Sequence, residues 1–87
     1  MKYKICKEIT AHEIEGQTIL VDPEGNVAVL NPMASNILEM ANQGRTADQI
    51  RDFIVDNYRV EKRTAQRDVQ MLFARLQEKA LVCKTKE

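Results

Sequence analysis

The chain has a single histidine, His12, only two cysteines, Cys6 and Cys83, three glycines, and no net charge, thirteen basic residues being cancelled by thirteen acidic ones. Each scarcity excludes a class of function. A neutral chain lacks the broad positive field on which sequence-independent nucleic-acid binding depends. One histidine and two cysteines near opposite ends form no metal-ligand spacing, and sequence proximity is all that recommends His12 and Cys6 as a nucleophilic pair. The glycines are each taken up by a turn or a helix end, which leaves no phosphate-cradling loop, and no nucleophile elbow is present. The expectation is a protein that is not an enzyme and carries no catalytic residue, metal or cofactor. No apolar run approaches the ~20 residues a membrane span requires, and no export segment opens the chain, so a soluble cytoplasmic protein is expected. In that compartment two reduced thiols are expected, since a bridge would require the ends of the chain to meet.

Eighty-seven residues make one domain, 1–87, a size better suited to a binding surface than to a deep cleft. Residues Tyr3 to Ile9 alternate loosely and read as a weak strand or an arm. Ala11 to Glu15 reads as a strand that turns at Glu15-Gly16. Gln17 to Asp22 follows, and its apolar run Ile19-Leu20-Val21 is of the kind found in strands covered on both faces. Asp22-Pro23-Glu24-Gly25 is the strongest local signal. Aspartate caps such a turn, proline presets φ, and glycine supplies the left-handed residue that closes a hairpin loop. The returning strand, Asn26 to Leu30, then places Val27 and Val29 on one face and Ala28 and Leu30 on the other.

At Asn31-Pro32 the pattern turns helical, with asparagine as N-cap and proline at the first helical position. Ala34, Ile37, Leu38 and Ala41 form the apolar stripe, and Gly44 ends the helix. A second helix opens at Thr46 with Gln49 three residues on, a capping-box spacing, and runs to about Tyr58. The third, from about Lys62 to Lys79, repeats Ala65, Val69, Leu72, Phe73 and Leu76 at spacings of three and four. Lys84 to Glu87 reads as a frayed polar tail. The fold class is therefore α+β, winged-helix-like, with a three-stranded antiparallel sheet followed by three helices.

Two functions fit that inventory. A DNA-binding winged helix is the alternative, with Lys62, Arg63, Gln66 and Arg67 at the start of the third helix, although Glu61 and Asp68 lie among them. A peptide-binding edge accounts for more. The chain leaves the sheet at Pro32, so the outer edge of the returning strand has no partner after it and offers backbone groups to another strand, unless the segment near Ile5 covers it. The third helix supplies a second wall, with Leu72 at the floor and Asp68 and Arg75 along one rim. The same edge could pair two copies into a homodimer.

The stretch Leu30-Asn31-Pro32-Met33-Ala34-Ser35-Asn36-Ile37-Leu38, the later Arg45-Thr46-Ala47-Asp48-Gln49-Ile50, and the end Asp68-Val69, Leu72-Phe73, Leu76 and Ala80-Leu81-Val82 together resemble the PqqD-like family, coenzyme PQQ synthesis protein D and its relatives. The similarity spans about Ala11 to Val82. It implies a RiPP precursor recognition element that binds the leader of a ribosomally made precursor peptide by strand addition and presents it to a modifying enzyme, often a radical SAM protein. The contacts it implies are Asn26, Val27, Ala28, Val29 and Leu30 on the strand and Asp68, Leu72 and Arg75 on the helix. One departure stands out. Ala80 replaces the glycine usual before the final Leu-Val pair, which should extend the helix or strain its last turn.

Overall fold

The computed structural model describes residues 2–85. The elements run β1 (Lys2–Ile5), β2 (Thr10–Ile14), β3 (Gln17–Val21), β4 (Val27–Leu30), α1 (Pro32–Asn42), α2 (Ala47–Tyr58), α3 (Lys62–Glu78) and β5 (Val82–Thr85). Strands β2, β3 and β4 form an antiparallel sheet in that order, as the turn signals require. The α+β class with three strands and then three helices is therefore observed, and a second small sheet, β1 with β5, is added to it.

The second sheet corrects two expectations. Thr85 and Lys84 are paired with Lys2 and Tyr3, so the segment read as a frayed tail is a strand as far as Thr85, while residues 86 and 87 lie outside the described residues. Because β1 and β5 run side by side, the ends of the chain do meet, and Cys6 and Cys83 form a disulfide rather than two reduced thiols. Sequence distance was the wrong guide there. Tyr3 stacks on Phe73 of α3 with ring centroids 4.2 Å apart, and the Ile5 N–H donates to Asn42 Oδ1, which fixes β1 against two helices.

The helix boundaries follow their caps. The Ala34 N–H donates to Asn31 Oδ1 at 2.8 Å, and the Gln49 N–H and Thr46 Oγ1 complete a capping box with the Thr46 N–H and Gln49 Oε1. Such caps satisfy helix-end donors that would otherwise be unpaired. Leu20, Leu30, Ile37, Leu38, Ile50 and Phe73 are among the buried side chains of one core, where the inner face of the sheet meets all three helices. α3 ends at Glu78 in a Schellman motif: the Ala80 N–H donates to the Gln77 carbonyl and the Leu81 N–H to the Leu76 carbonyl. Ala80 sits there at φ +59°, so the helix is not extended and its last turn carries the strain.

Ile19 and Val21 are only half-buried while Leu20 between them is fully enclosed. The β3 strand, expected to be covered on both faces, is covered on one. α1 packs on the inner face and joins it to a core shared with α2 and α3, and among the described residues no element lies over the outer face.

Candidate peptide-binding edge

The direction of each peptide group in β4 follows from its hairpin. The Asp22 N–H donates to the Asn26 carbonyl and the Gly25 N–H to the Asp22 carbonyl, while the Asp22 carboxylate accepts from the backbone N–H groups of Glu24 and Asn26 and from Asn26 Nδ2. The Asn26 side-chain amide and then the backbone donors hold the Asp22 carboxyl below its ordinary pKa, because each favours the ionised form. In an antiparallel pair, hydrogen-bonded and non-hydrogen-bonded positions alternate. With Asp22 and Asn26 bonded, Leu20 with Ala28 and Thr18 with Leu30 are the next inward-facing pairs. The Thr18 N–H bears this out from the other end: it points toward β4, where Ser35 Oγ accepts it at 2.8 Å, and Ser35 Oγ donates on to the Leu30 carbonyl.

Val27 and Val29 consequently turn their N–H and C=O groups away from β3. Among the described residues nothing pairs with them, since β4 ends the sheet and β1 pairs with β5. The edge is free. The other margin of the sheet, β2, is blunted by Glu13, which places a carboxylate on its inner side, whereas β4 reads Val-Ala-Val-Leu without a charge.

A cleft of about 290 Å³ begins where β4 ends. Asn31, Met33, Ala34 and Ile37 form one wall and Asp68, Met71, Leu72 and Arg75 of α3 the other. On α3, Asp68, Leu72 and Arg75 are spaced four and three residues apart and so share one face. Leu72 packs against the core while Met71 is largely exposed. The result is an apolar trough with an acid at one end and a base at the other, separated by about 10 Å at 1.5 Å per residue.

The sequence-derived residues divide accordingly. Asp68, Leu72 and Arg75 are brought together. Val27 and Val29 present the open backbone, Ala28 and Leu30 are occupied with β3, and Asn26 is bound into the turn with Asp22. Met33, Ile37 and Met71 were missed. Met71 carried a signal, since it is a large apolar residue standing off the core stripe of Val69, Phe73 and Leu76. The basic residues Lys62, Arg63 and Arg67 line, with Gln66 and Gln70, a separate open depression, where Arg67 Nε lies 3.8 Å from Asp68 Oδ1. Among the described residues no group of three or more metal-ligating side chains occurs, and no helix is long and apolar enough to cross a membrane.

An open, uncharged strand edge therefore leads into an apolar cleft beside the long third helix of an α+β domain. The family model of coenzyme PQQ synthesis protein D matches residues 17–82, and the chain belongs to the PqqD family. Among solved structures it is similar to a lasso peptide synthetase B1 complexed with the leader peptide, at 24% identity and a TM-score of 0.91, over 97% of this chain and 100% of that one. It is likewise similar to TbiB1 in complex with the TbiA(β) leader peptide, at 24% identity and a TM-score of 0.87, over 97% and 99% of the two chains. A comparison with curated proteins finds no match.

Proposed function

We propose that this chain, acting as a single recognition domain, captures the leader segment of a ribosomally made precursor peptide as a fourth strand on β4. It then presents the rest of the peptide to a modifying enzyme, of the radical SAM class or another. The observation that carries the reading is the outward pair of peptide groups at Val27 and Val29, next to the cleft of Leu72, Asp68 and Arg75. Main-chain pairing supplies affinity that is indifferent to peptide sequence, and the cleft selects the side chain that follows. Membership of the PqqD family and the leader peptides bound to its structural neighbours support the same reading. The domain performs no bond chemistry of its own. Its contribution is positional: it raises the concentration of one end of the peptide at an active site and restrains it there.

The direct test is titration of the chain with a synthetic leader, followed by amide chemical shifts. The largest changes are expected at Val27 and Val29, with affinity falling only modestly as salt rises. A steep loss of affinity with salt, or shifts centred on Lys62 to Arg67, would favour the nucleic-acid alternative.

A further inference from the structure

The β2 margin of the sheet borders a second groove. Asp22, Leu20 and Thr18 turn their peptide groups toward β4, so those of Gln17, Ile19 and Val21 face β2 and pair with Ile14, His12 and Thr10. Ala11 and Glu13 are left with N–H and C=O groups directed outward, and among the described residues nothing pairs with them. Their side chains share the inner side of the sheet with Leu20 and Leu30, yet both are exposed where Leu20 is fully enclosed. β2 overhangs the core. The space beneath it is a groove of about 650 Å³, floored by the nearly buried Ser35 and Leu38 and walled by Asn36 and Glu39 of α1.

Glu13 on the strand and Glu39 on the helix both line this groove, neither makes an ion pair among the described residues, and no lysine or arginine is part of the lining. His12 borders it from β2 with its side chain on the other face of the sheet. Glu13 blunts this margin toward an ordinary strand, but for a strand carrying a base it is a partner. We propose that the peptide captured on β4 continues around the start of α1 into this groove, where it adds to β2 and sets lysine or arginine side chains against Glu13 and Glu39.

The proposal rests on the peptide-capture reading above and takes it one segment further. Its basis is the way α1 divides the two clefts. Met33, Ala34 and Ile37 face the cleft beside β4, and Pro32, Ser35, Asn36 and Glu39 line the β2 groove. At about 3.6 residues per turn those two sets stand on opposite sides of one helix. Between them the helix begins at Asn31-Pro32, both exposed. A chain leaving the β4 cleft therefore has to cross one helix width, about 10 Å, which about three or four extended residues span.

The groove suits a tethered segment better than a free one. Two outward peptide groups and two exposed carboxylates hold a free strand only weakly in water, because exposed ion pairs contribute little. A segment already anchored on β4 is present at an effective concentration of ~1 mM, at which a weak second contact counts. Side chains of a guest strand alternate, so residues two apart face the groove together. The precursor is accordingly expected to carry lysine or arginine at alternate positions, about three or four residues from the part bound on β4.

The test uses the full chain with two synthetic peptides: the whole precursor encoded beside it, and the same precursor cut back to the segment that pairs with β4. The cut-back peptide should shift amides along β4 and leave Ala11 and Glu13 unmoved. The whole precursor should shift Ala11 and Glu13 as well and bind at least about five-fold tighter. The double variant Glu13→Lys, Glu39→Lys should hold the cut-back peptide within about two-fold and lose the extra affinity. Glu13→Gln, Glu39→Gln serves if thermal unfolding shows that the lysine pair does not fold. Equal affinity for the two peptides, unmoved Ala11 and Glu13 amides, or a gain that survives in a folded variant overturns the second groove and leaves capture on β4 intact. Absence of shifts at Val27 and Val29 with either peptide overturns both. Shifts at Ala11 and Glu13 caused by the purified modifying enzyme and not by the precursor would assign the groove to the enzyme and also overturn the proposal.

Discussion

Gly44 and Ala80 occupy the same station in two copies of one motif. After α1, the Gly44 N–H donates to the Ala41 carbonyl and the Arg45 N–H to the Met40 carbonyl; after α3, Ala80 and Leu81 repeat the pattern to Gln77 and Leu76. Both residues are left-handed, at φ +95° and +59°. Glycine bears that conformation without a steric cost, and an L-residue with a Cβ pays about 1–2 kcal/mol. Ala80→Gly should therefore stabilise the chain by about 1 kcal/mol after allowance for the greater freedom of glycine in the unfolded state. The corresponding rise in Tm is about 4–8 °C for a domain of this size, measurable by thermal unfolding.

Proline scanning of β4 separates the two sides of the strand. Ala28→Pro deletes an N–H that faces Leu20 and should lower stability by about 2 kcal/mol or more. Val29→Pro removes a donor that faces outward, where edge strands tolerate proline, so unfolding should change by less than about 1 kcal/mol. Peptide titration of the folded Val29→Pro variant should show at least a ten-fold loss. Equal peptide affinity in that variant would count against strand addition at this edge.

Ser35 joins α1 to the end of the sheet. It is nearly buried, accepts from the Thr18 N–H and donates to the Leu30 carbonyl. Ser35→Ala would leave both backbone groups without that partner, at a cost of about 1–3 kcal/mol in chemical denaturation. Fraying should be greatest where β4 passes into α1, and hydrogen exchange at Thr18 should quicken accordingly.

The Cys6–Cys83 disulfide restrains the unfolded chain across a sequence separation of 77 residues. Replacing both cysteines by serine should lower stability by about 2–4 kcal/mol. Hydrogen exchange should accelerate first in β1 and β5. The free edge of β4 belongs to the other sheet, so leader affinity should stay within about two-fold at temperatures where the variant is folded.

Asp22 gives the hairpin loop between β3 and β4 its pH dependence. Its folded pKa is lowered, so its contribution is fully present above the unfolded value near 3.8 and is lost as pH falls through the lower folded value. Amide shifts of Glu24 and Asn26 should follow that acid titration, and Asp22→Asn should abolish it.

What the sequence made legible was what depends on neighbours in the chain. Asn31-Pro32, Thr46 with Gln49, and Asp22 to Gly25 each carry their instructions within four residues, and the caps and the hairpin form as those residues require. Asp68, Leu72 and Arg75 were legible as one face because helical spacing alone puts them there. β1 pairing with β5 was not, because it joins Lys2 to Thr85 and no local pattern specifies so distant a partner. The disulfide was misread for the same reason. Ile19-Leu20-Val21 misled differently. An apolar run shows that a strand avoids charge, but whether its second face meets helices or water is decided by where those helices pack.

Because Lys2 lies opposite Thr85 and a covalent link closes residue 6 to residue 83, the polypeptide is close to a ring. A ring has no privileged starting point. A permuted chain that joins Thr85 to Lys2 through a few flexible residues and opens at the exposed Glu15-Gly16 turn would keep every strand partner of the two sheets.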